Sequence, residues 1–301
     1  MIPQFQHEAN TSFALWLDYY MSTKAQAFSN KEVGMYYTPD ERLLKYPEDP
    51  LGFITYSSEY KQWVYDHDIQ NAQVPNGVHI DTGNGYEFCA RGQSGLMIDF
   101  DNGRILLDGD KFPNNYQNLQ VKTDVSVKDV NIYLADDTEE NLVVQGKYNI
   151  NSRTTPNYGQ GVGIEPYEHV APAAFVSMES SRNTPYAFGG EDLTRLNYRV
   201  VLFAEDLYQL DGFMSVCTDA KELAIRNLGY DNHPFDNYGD LKEGSYSYSE
   251  AVTNCQHPGP LMFIEDVQAS KISDKSNRTN NPDLYLGFVD FQVSQARFPR
   301  S

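Results

Sequence analysis

The sequence predicts an α+β protein: a small mixed sheet covered by two helices, with a large β-rich antiparallel insert. Three observations predict this class. Apolar residues recur at helical spacing in two segments, one near the N-terminus and one after residue 206. The chain of 301 residues contains 22 tyrosines and 16 phenylalanines, and aromatic residues favour sheets. From Met35 to about Ala171, short β-like runs alternate with turn signals.

The first helix is predicted from an apolar stripe with the spacing i, i+3, i+4, i+7 and i+8. The stripe consists of Phe13, Trp16, Leu17, Tyr20 and Met21. Residues 10–12, Asn-Thr-Ser, are suitable N-caps. We expect the helix to run to about Phe28, to end before Gly34, and to cover a sheet.

The insert is predicted from a series of short β-like runs. These are Gly52–Tyr56, Tyr60–Tyr65, Tyr86–Cys89, Leu96–Phe100, Arg104–Leu107, Val125–Leu134 and Leu142–Ile150. The pair Asn102-Gly103 lies between two of them and is a strong hairpin signal. We therefore expect an antiparallel sandwich or barrel-like insert, followed by an exposed excursion or linker at 151–169.

The remaining chain is predicted to return to the main sheet. The expected elements are first a strand at Pro172–Glu179, a turn-rich loop at Ser180–Glu191, a strand at Leu196–Ala204 and a helix at Leu207–Leu228. A loop-dominated stretch at Tyr230–Pro260 and a strand at Leu261–Val267 follow. The last elements are a polar loop at Ser273–Pro282 and a closing strand at Leu284–Val293. This order divides the chain into an N-terminal helix (1–34), the insert (35–171) and the remainder of the main domain (172–301).

Composition narrows the classes of function. With 23 basic and 42 acidic residues the net charge is −19. The composition therefore does not indicate the basic surface that binding to duplex DNA requires. Three widely spaced cysteines do not indicate a disulfide framework. There is no signal-peptide pattern and no apolar run of about 18 residues, so we expect a protein made in a reducing cytoplasm and not in a membrane.

Motifs for chemistry are weak in this sequence. The segment Asp99–Gly103 is similar to a calcium loop, but its glycine falls at position five and β-like runs flank it, so a hairpin is the better interpretation. In the segment Tyr65–Asp68, carboxylates flank His67, but no second His or Cys lies at the spacing of a metal ligand. A surface histidine with ordinary hydrogen bonds is therefore a better interpretation than a metal site. We expect no enzymatic activity and no cofactor or metal; a hydrolase acting through an Asp/Glu pair is the last alternative.

Several segments together resemble the tail-terminator, or tail-completion, proteins of tailed bacteriophages, with contractile-tail phages the expected kind. The match is carried by Pro172-Ala-Ala-Phe-Val176, by Tyr198-Arg-Val-Val-Leu-Phe203 and by Glu205-Asp-Leu-Tyr-Gln-Leu-Asp-Gly-Phe-Met214. In that family an N-terminal helix, two strands, an acidic-capped helix and a last strand follow one another. The insert and the loop Tyr230–Pro260 depart from the family pattern.

The resemblance implies a virion structural protein. Such a subunit would form a homo-oligomeric, hexameric ring that caps the tail tube and joins tail to head. Its implied partners are the tail tube and sheath proteins and a head-completion or connector protein, with DNA passing through the lumen without specific binding. The implied location is the tail or neck of the virion, after assembly in the host cytoplasm. Head-completion, neck and baseplate subunits remain alternatives to a terminator.

A different class of function is a carbohydrate-binding or baseplate-appendage β module. The aromatic residues Tyr60, Trp63, Tyr65 and Tyr86 of the insert motivate it. Aromatic residues in a half-buried sheet are more often part of the core, which weakens this alternative.

Contacts with partners are expected on two loops. The first, Arg182–Glu191, combines an aromatic tip with a glycine hinge. The second, Ile272–Pro282 with Lys271 just before it, is a local basic cluster in an acidic chain. The candidate interface residues are Arg182, Pro185, Tyr186, Phe188, Gly189, Gly190, Lys271, Lys275 and Arg278.

Overall fold

The structure, a computed structural model, describes residues 5–34, 43–45, 52–81, 83–111, 120–135, 149–150, 169–187, 190–229, 232–254, 261–272 and 284–298. Within these ranges the chain is a mixed α and β protein built mostly of strands, so the predicted α+β class is confirmed at that level. The α-helices of the described ranges are α1 (Phe5–Lys24), α2 (Leu207–Thr218) and α3 (Tyr248–Asn254).

The strands are β1 (Phe28–Gly34), β2 (Leu44–Lys45), β3 (Phe53–Ser57), β4 (Gly77–Asp81), β5 (Tyr86–Ala90), β6 (Leu96–Asp99), β7 (Arg104–Asp108), β8 (Gln120–Lys128), β9 (Asn131–Leu134), β10 (Asn149–Ile150), β11 (Val170–Ala171), β12 (Ala173–Ala187), β13 (Glu191–Ala204), β14 (Ala224–Arg226), β15 (Leu261–Lys271) and β16 (Tyr285–Arg297). As far as the structure describes the chain, they form sheets in the orders β1-β8-β4-β5, β2-β3-β7-β6 and β14-β15-β16-β13-β12-β9, plus the pair β10-β11.

The six-stranded sheet is the main sheet of the fold. Its strand pairs are antiparallel, except that β9 runs parallel to β12. Helix α1 lies on one face, where Phe13 stacks on Tyr198 of β13 with ring centroids 4.2 Å apart. Helix α2 packs on β16 at Gly287, where a Cβ atom would lie 2.9 Å from Leu210 Cδ1 and 3.2 Å from Met214 Sδ. The glycine therefore lets α2 approach the sheet closely.

The predicted apolar faces of both helices are confirmed, but their predicted ends are wrong. Helix α1 spans Phe5–Lys24, so Ser12 lies inside the helix and does not cap it. The Ser12 hydroxyl donates to the Glu8 carbonyl oxygen at 2.6 Å and accepts the backbone N–H of Leu228 at 2.8 Å. The helix ends at Lys24, and Phe28 already belongs to β1.

Helix α2 stops ten residues before the predicted end at Leu228. After Thr218 the chain turns, and Glu222 adopts a positive φ of 69°. The next segment, β14, then pairs with β15. Pairing with a distant strand has overridden the helical pattern there. Leu210, Met214 and Cys217 are buried as the spacing predicts.

Two further predictions of secondary structure are wrong. The run Tyr60–Tyr65 is not a strand, and its one β-bridge joins Trp63 to Val127. The run Val125–Leu134 is split between β8 and β9. The stretch Tyr230–Pro260, predicted to be dominated by loops, is mostly irregular where the structure describes it, and it contains the short helix α3.

The hairpin predicted at Asn102-Gly103 is confirmed, and it joins β6 to β7. Asp99 closes the turn by accepting the backbone N–H of Asn102 at 3.0 Å and the Arg104 Nε–H at 2.9 Å. Gly103 has a φ of 59°, and a Cβ atom there would lie 2.0 Å from the Tyr60 carbonyl oxygen. The turn therefore requires glycine both for its backbone conformation and for space.

The two smaller sheets and the main sheet share one continuous core. Strand β1 pairs with β8 across the predicted boundary at residue 34, and β9 joins β12 across the boundary at residue 171. The division into 1–34, 35–171 and 172–301 stays a prediction, and these strand pairs tie its parts together.

Candidate functional site

The distal half of the β12–β13 hairpin extends the main sheet into solvent. We call residues 180–187 of β12, with their partners on β13, the projecting end. Burial falls along β12, from the fully buried Phe175 to Tyr186, whose side chain is 66% exposed. Residues Ser180–Glu191 were predicted to form a loop, but pairing continues to Ala187 opposite Glu191. That prediction is wrong because the small polar residues pair across the strands, and Pro185 is tolerated on an outer strand.

The outer edge of β12 is open along the projecting end. Strand β9 pairs only with Ala173–Val176, and within the described ranges no other strand pairs with this edge from Ser177 onward. Bulges interrupt the register between Met178 and Ser180 and between Pro185 and Ala187. An unpaired edge is a surface on which another chain can add a strand, and bulges, charge and proline restrict such pairing.

The sheet face that points away from α1 and α2 is polar at the projecting end and just before it, and its charges are mostly compensated. Just before the projecting end, Arg199 makes a two-point contact with Asp290, at 2.6 and 3.0 Å, and lies 3.2 Å from Glu179. Arg195 lies opposite Arg182 in the strand pairing and reaches Glu265 at 3.3 Å. This face suits a hydrated polar contact better than a dry apolar one.

The predicted interface residues are described only in part. Arg182, Pro185 and Tyr186 are exposed residues of β12, and Gly190 has a positive φ of 91° at the turn. Lys271 is the last residue of β15 and forms an ion pair with Asp211 of α2. The residues that lie outside the described ranges are Phe188, Gly189, Lys275 and Arg278.

The structure does not bring the two groups of predicted interface residues together. Lys271 pairs with Gly287, which pairs with Leu202, and Leu202 pairs with Ala174. Lys271 is therefore level with the first residues of β12, whereas Arg182 and Tyr186 lie at the far end of that strand. The role of each group in contacts with partners stays a prediction.

A cleft of about 930 Å³ opens at the base of the same hairpin. We call it the base cleft. Its walls come from the end of α1, from β1 and β8, and from one side of α2. Its lining residues include Ala25, Ala27, Lys31, Tyr60, Val127, Asp129, Pro172, Glu205, Asp206, Tyr208, Gly212 and Val216.

The α2 wall of the base cleft is held in place by its cap. Asp206 accepts the backbone N–H of Gln209 at 2.7 Å and so fixes the first turn of α2. The next residues on this side are Tyr208, which is 90% exposed, and Gly212. An aromatic ring and a bare stretch of helix therefore face the cleft, beside the carboxylates of Glu205 and Asp206.

A buried ion pair lies behind the base cleft. Lys128 Nζ of β8 is 2.7 Å from an Asp18 oxygen of α1 and 4.8 Å from the centre of the Tyr65 ring. Burial, with the nearby Asp18 carboxylate, holds the pKa of Tyr65 well above its usual range. Lys128, Asp18 and Tyr65 together connect β8, α1 and the segment after β3. Their role is therefore structural.

The acidic segment around His67 has a structural role as well. Asp66 accepts the backbone N–H groups of Asp68 and Tyr248 at 2.9 and 3.0 Å. Asp68 accepts the hydroxyls of Ser247 and Ser249, and these hydrogen bonds lower its pKa. Both carboxylates therefore hold the start of α3. Among the residues that the structure describes, no group of three or more His, Cys, Asp or Glu side chains is arranged to hold a metal ion.

The aromatic residues proposed to bind carbohydrate do not form one exposed surface. Trp63 and Tyr65 are buried in the core. Tyr86 is exposed on β5, where Lys122 lies 4.8 Å from its ring centre. The structure therefore adds no observation in favour of a carbohydrate site at these residues.

No protein-family model and no curated protein matches this chain. In the part of the chain that the structure describes, no helix has the length and apolar character needed to cross a membrane.

Sequence reasoning missed the base cleft. Its lining comes from five parts of the chain, around residues 21–31, 59–60, 127–130, 172 and 205–216. The one local signal is Gly212, a glycine inside a predicted helix. Glycine weakens a helix interior, so its presence there indicates a reason in packing or in function.

Proposed function

We propose that this protein is a structural subunit of a tailed-phage virion that assembles with its own copies into a ring. In this proposal it acts at the tail or neck as a terminator, capping the tail tube and joining tail to head. Its partners are the tail tube and sheath proteins and a head-completion or connector protein. The ring is hexameric, and the virion is where the protein resides.

The observation that carries this proposal is the projecting end with its open outer edge. Long strands that leave the core expose unpaired backbone groups, which a stable protein protects or covers. Here the protection is partial, because bulges and Pro185 restrict pairing while Tyr186 stays exposed. A surface of this kind suits contact with another subunit.

The segments that carry the family resemblance support the same proposal. Pro172–Val176 leads into and begins β12, and Tyr198–Phe203 lies in β13. Glu205–Met214 contains the cap of α2 and its first two turns. These segments are therefore neighbours at the base of one sheet, with α1 and α2 on the same side.

The charge of the outer sheet face is compatible with DNA passing nearby. Arg199 and Arg195 on this face are engaged by Asp290, Glu179 and Glu265. An arginine that a carboxylate already neutralises displaces few of the counterions condensed on DNA. It therefore contributes little to DNA affinity. Together with a net charge of −19, this favours a lumen that does not retain DNA.

Sedimentation velocity and negative-stain imaging of the purified protein test the proposal. We expect a closed ring with six times the mass of one chain, and binding to purified tail tubes in a pull-down. The variant Tyr186→Ser, on the projecting end, should weaken both. Tyr86→Ser, at an exposed tyrosine of β5, is the matched control and should leave both unchanged.

A protein that stays monomeric at high concentration and binds neither tail tubes nor neck proteins would contradict the proposal. Equal behaviour of Tyr186→Ser and Tyr86→Ser in a protein that does form rings would remove the projecting end from the contact.

A further inference from the structure

We propose that the base cleft receives the projecting end of a second copy of this chain, so that copies join head to tail. This inference rests on the proposed ring and specifies the two surfaces that meet in it. The occupant of the cleft is the segment that contains Arg182, Pro185 and Tyr186 of the neighbouring copy.

The two surfaces lie at opposite ends of one hairpin and cannot meet within a single chain. Pro172 and Glu205, which line the base cleft, are the residues that immediately flank β12 and β13. Pro185 pairs with Asp192 at the other end. At about 3.3 Å per residue, the intervening strand spans about 40 Å. A contact between them therefore joins two copies, and a head-to-tail contact closes into a ring when its rotation permits.

The chemistry of the two surfaces is complementary. The cleft lining carries four carboxylates, those of Glu59, Asp129, Glu205 and Asp206, against the two lysines Lys31 and Lys128, so acidic groups outnumber basic ones around its apolar side chains. The projecting end presents the Arg182 guanidinium, which lies opposite Arg195 in its own sheet. Moving Arg182 towards carboxylates and away from a like charge is favourable. The positive charge of Lys128 at the cleft wall is already compensated by Asp18.

Aromatic groups are exposed on both surfaces. Tyr186 on the projecting end and Tyr208 at the cleft are the two most exposed large hydrophobic side chains among the described residues. Tyrosines are enriched in protein interfaces, because each ring buries a large area at low conformational cost. A contact between copies would cover both.

Gly212 gives a separate reason to place a partner in the cleft. A Cβ atom at this position would meet nothing within 4 Å, so packing inside the chain does not require a glycine. Glycine also disfavours a helix interior. By contrast, Gly287 is needed internally, because Leu210 and Met214 pack against it. A partner side chain lying close to the α2 backbone accounts for Gly212.

The test uses two variants, each of which blocks one surface. Gly212→Leu fills the cleft, and leucine is the better helix former, so the fold should be retained. The double variant Arg182→Glu with Tyr186→Asp changes the projecting end and places Glu opposite Arg195. Ser215→Leu, at an exposed position of α2 outside the cleft lining, is the matched control.

We expect each blocked variant to sediment as a monomer with unchanged thermal stability, while Ser215→Leu forms rings. Mixing the two blocked variants should produce a discrete 1:1 dimer, because each retains the surface that the other has lost. This outcome distinguishes a head-to-tail contact from a symmetric one, for which no such rescue is expected.

The outcomes separate this inference from the proposed function. Rings of Gly212→Leu that match the wild type would overturn the inference and leave the ring intact. A mixture of the two blocked variants that stays monomeric would also overturn it. So would a Gly212→Leu protein that forms rings but no longer binds a tail or neck protein, because the cleft would then be the site for that protein. A wild-type protein that never forms a ring would overturn both.

Discussion

The buried pair of Lys128 and Asp18 leads to a quantitative prediction. Replacing Lys128 with Met keeps the length and apolar bulk of the side chain but removes the charge. The carboxylate of Asp18 then loses its partner in the core, and the Tyr65 ring loses the cation 4.8 Å from its centre. The perturbation is therefore mainly electrostatic.

The size of the effect follows from burial. The Lys128 and Asp18 side chains are 6% and 12% exposed, and their charged atoms are 2.7 Å apart. Removing one member of a buried pair costs about 3–5 kcal/mol, because the other charge is left without compensation. A total folding free energy of about 5–15 kcal/mol is typical, so the loss should be a large part of it.

Urea unfolding followed by tryptophan fluorescence measures the effect, since both tryptophans of the chain, Trp16 and Trp63, lie in the core. The control is Lys122→Met on the same strand, where the ion pair with Glu32 is 3.2 Å long and more exposed. Exposed pairs contribute at most about 1 kcal/mol.

A double-mutant cycle completes the experiment. Changing Asp18 to Asn in the Lys128→Met background removes the uncompensated charge and should recover about 2 kcal/mol. The reasoning is refuted if Lys128→Met is no more destabilising than Lys122→Met, or if the cycle shows no coupling.

Three further predictions concern the folded state. Leu210→Asp should lower the free energy of unfolding by about 3 kcal/mol or more, because it buries an unpaired charge. Soluble protein with an unchanged melting temperature would show that α2 is packed differently. Gly103→Ala should lower the melting temperature strongly because its Cβ would clash with the Tyr60 carbonyl oxygen, whereas Gly52→Ala, also at positive φ but in open space, should cost about 1 kcal/mol. Burial raises the pKa of Asp66, so the folded state binds this proton more tightly than the unfolded chain does. Its contribution to stability should therefore fall as pH rises from about 4 through the raised pKa; Asp66→Asn should flatten that part of the stability curve in calorimetry, and an unchanged slope would contradict the assignment.

Local patterns predicted the parts of the fold that local physics decides. Phe13, Trp16 and Leu17 form an apolar face because their spacing matches a helical turn, whatever lies opposite. Asn102-Gly103 forms a turn because glycine tolerates the required φ. These features need no knowledge of distant residues.

Parts of the fold that depend on distant partners could not be predicted in this way. The polar segment Phe28–Gly34 is a strand because it pairs with Gln120–Lys128, and the segment after Thr218 leaves the helix because β15 offers pairing. The projecting end has loop-like residues but is extended by β13 and β16. The base cleft is equally non-local, since the distant segments that line it meet only after folding.

The position of β16 has a consequence for the synthesis of this protein. It lies between β15 and β13 in the main sheet, yet it is the last of the described strands along the chain. The hairpin that ends at Ala204 emerges long before Tyr285, where β16 starts; at about 5–20 residues per second the delay is about 4–16 s. During this interval the edge of β13 that β16 later covers is unpaired, in addition to the edge of β12 that stays open along the projecting end. We therefore expect the hairpin to be exposed to incorrect strand pairing until β16 has been translated through Arg297 and has paired with β13.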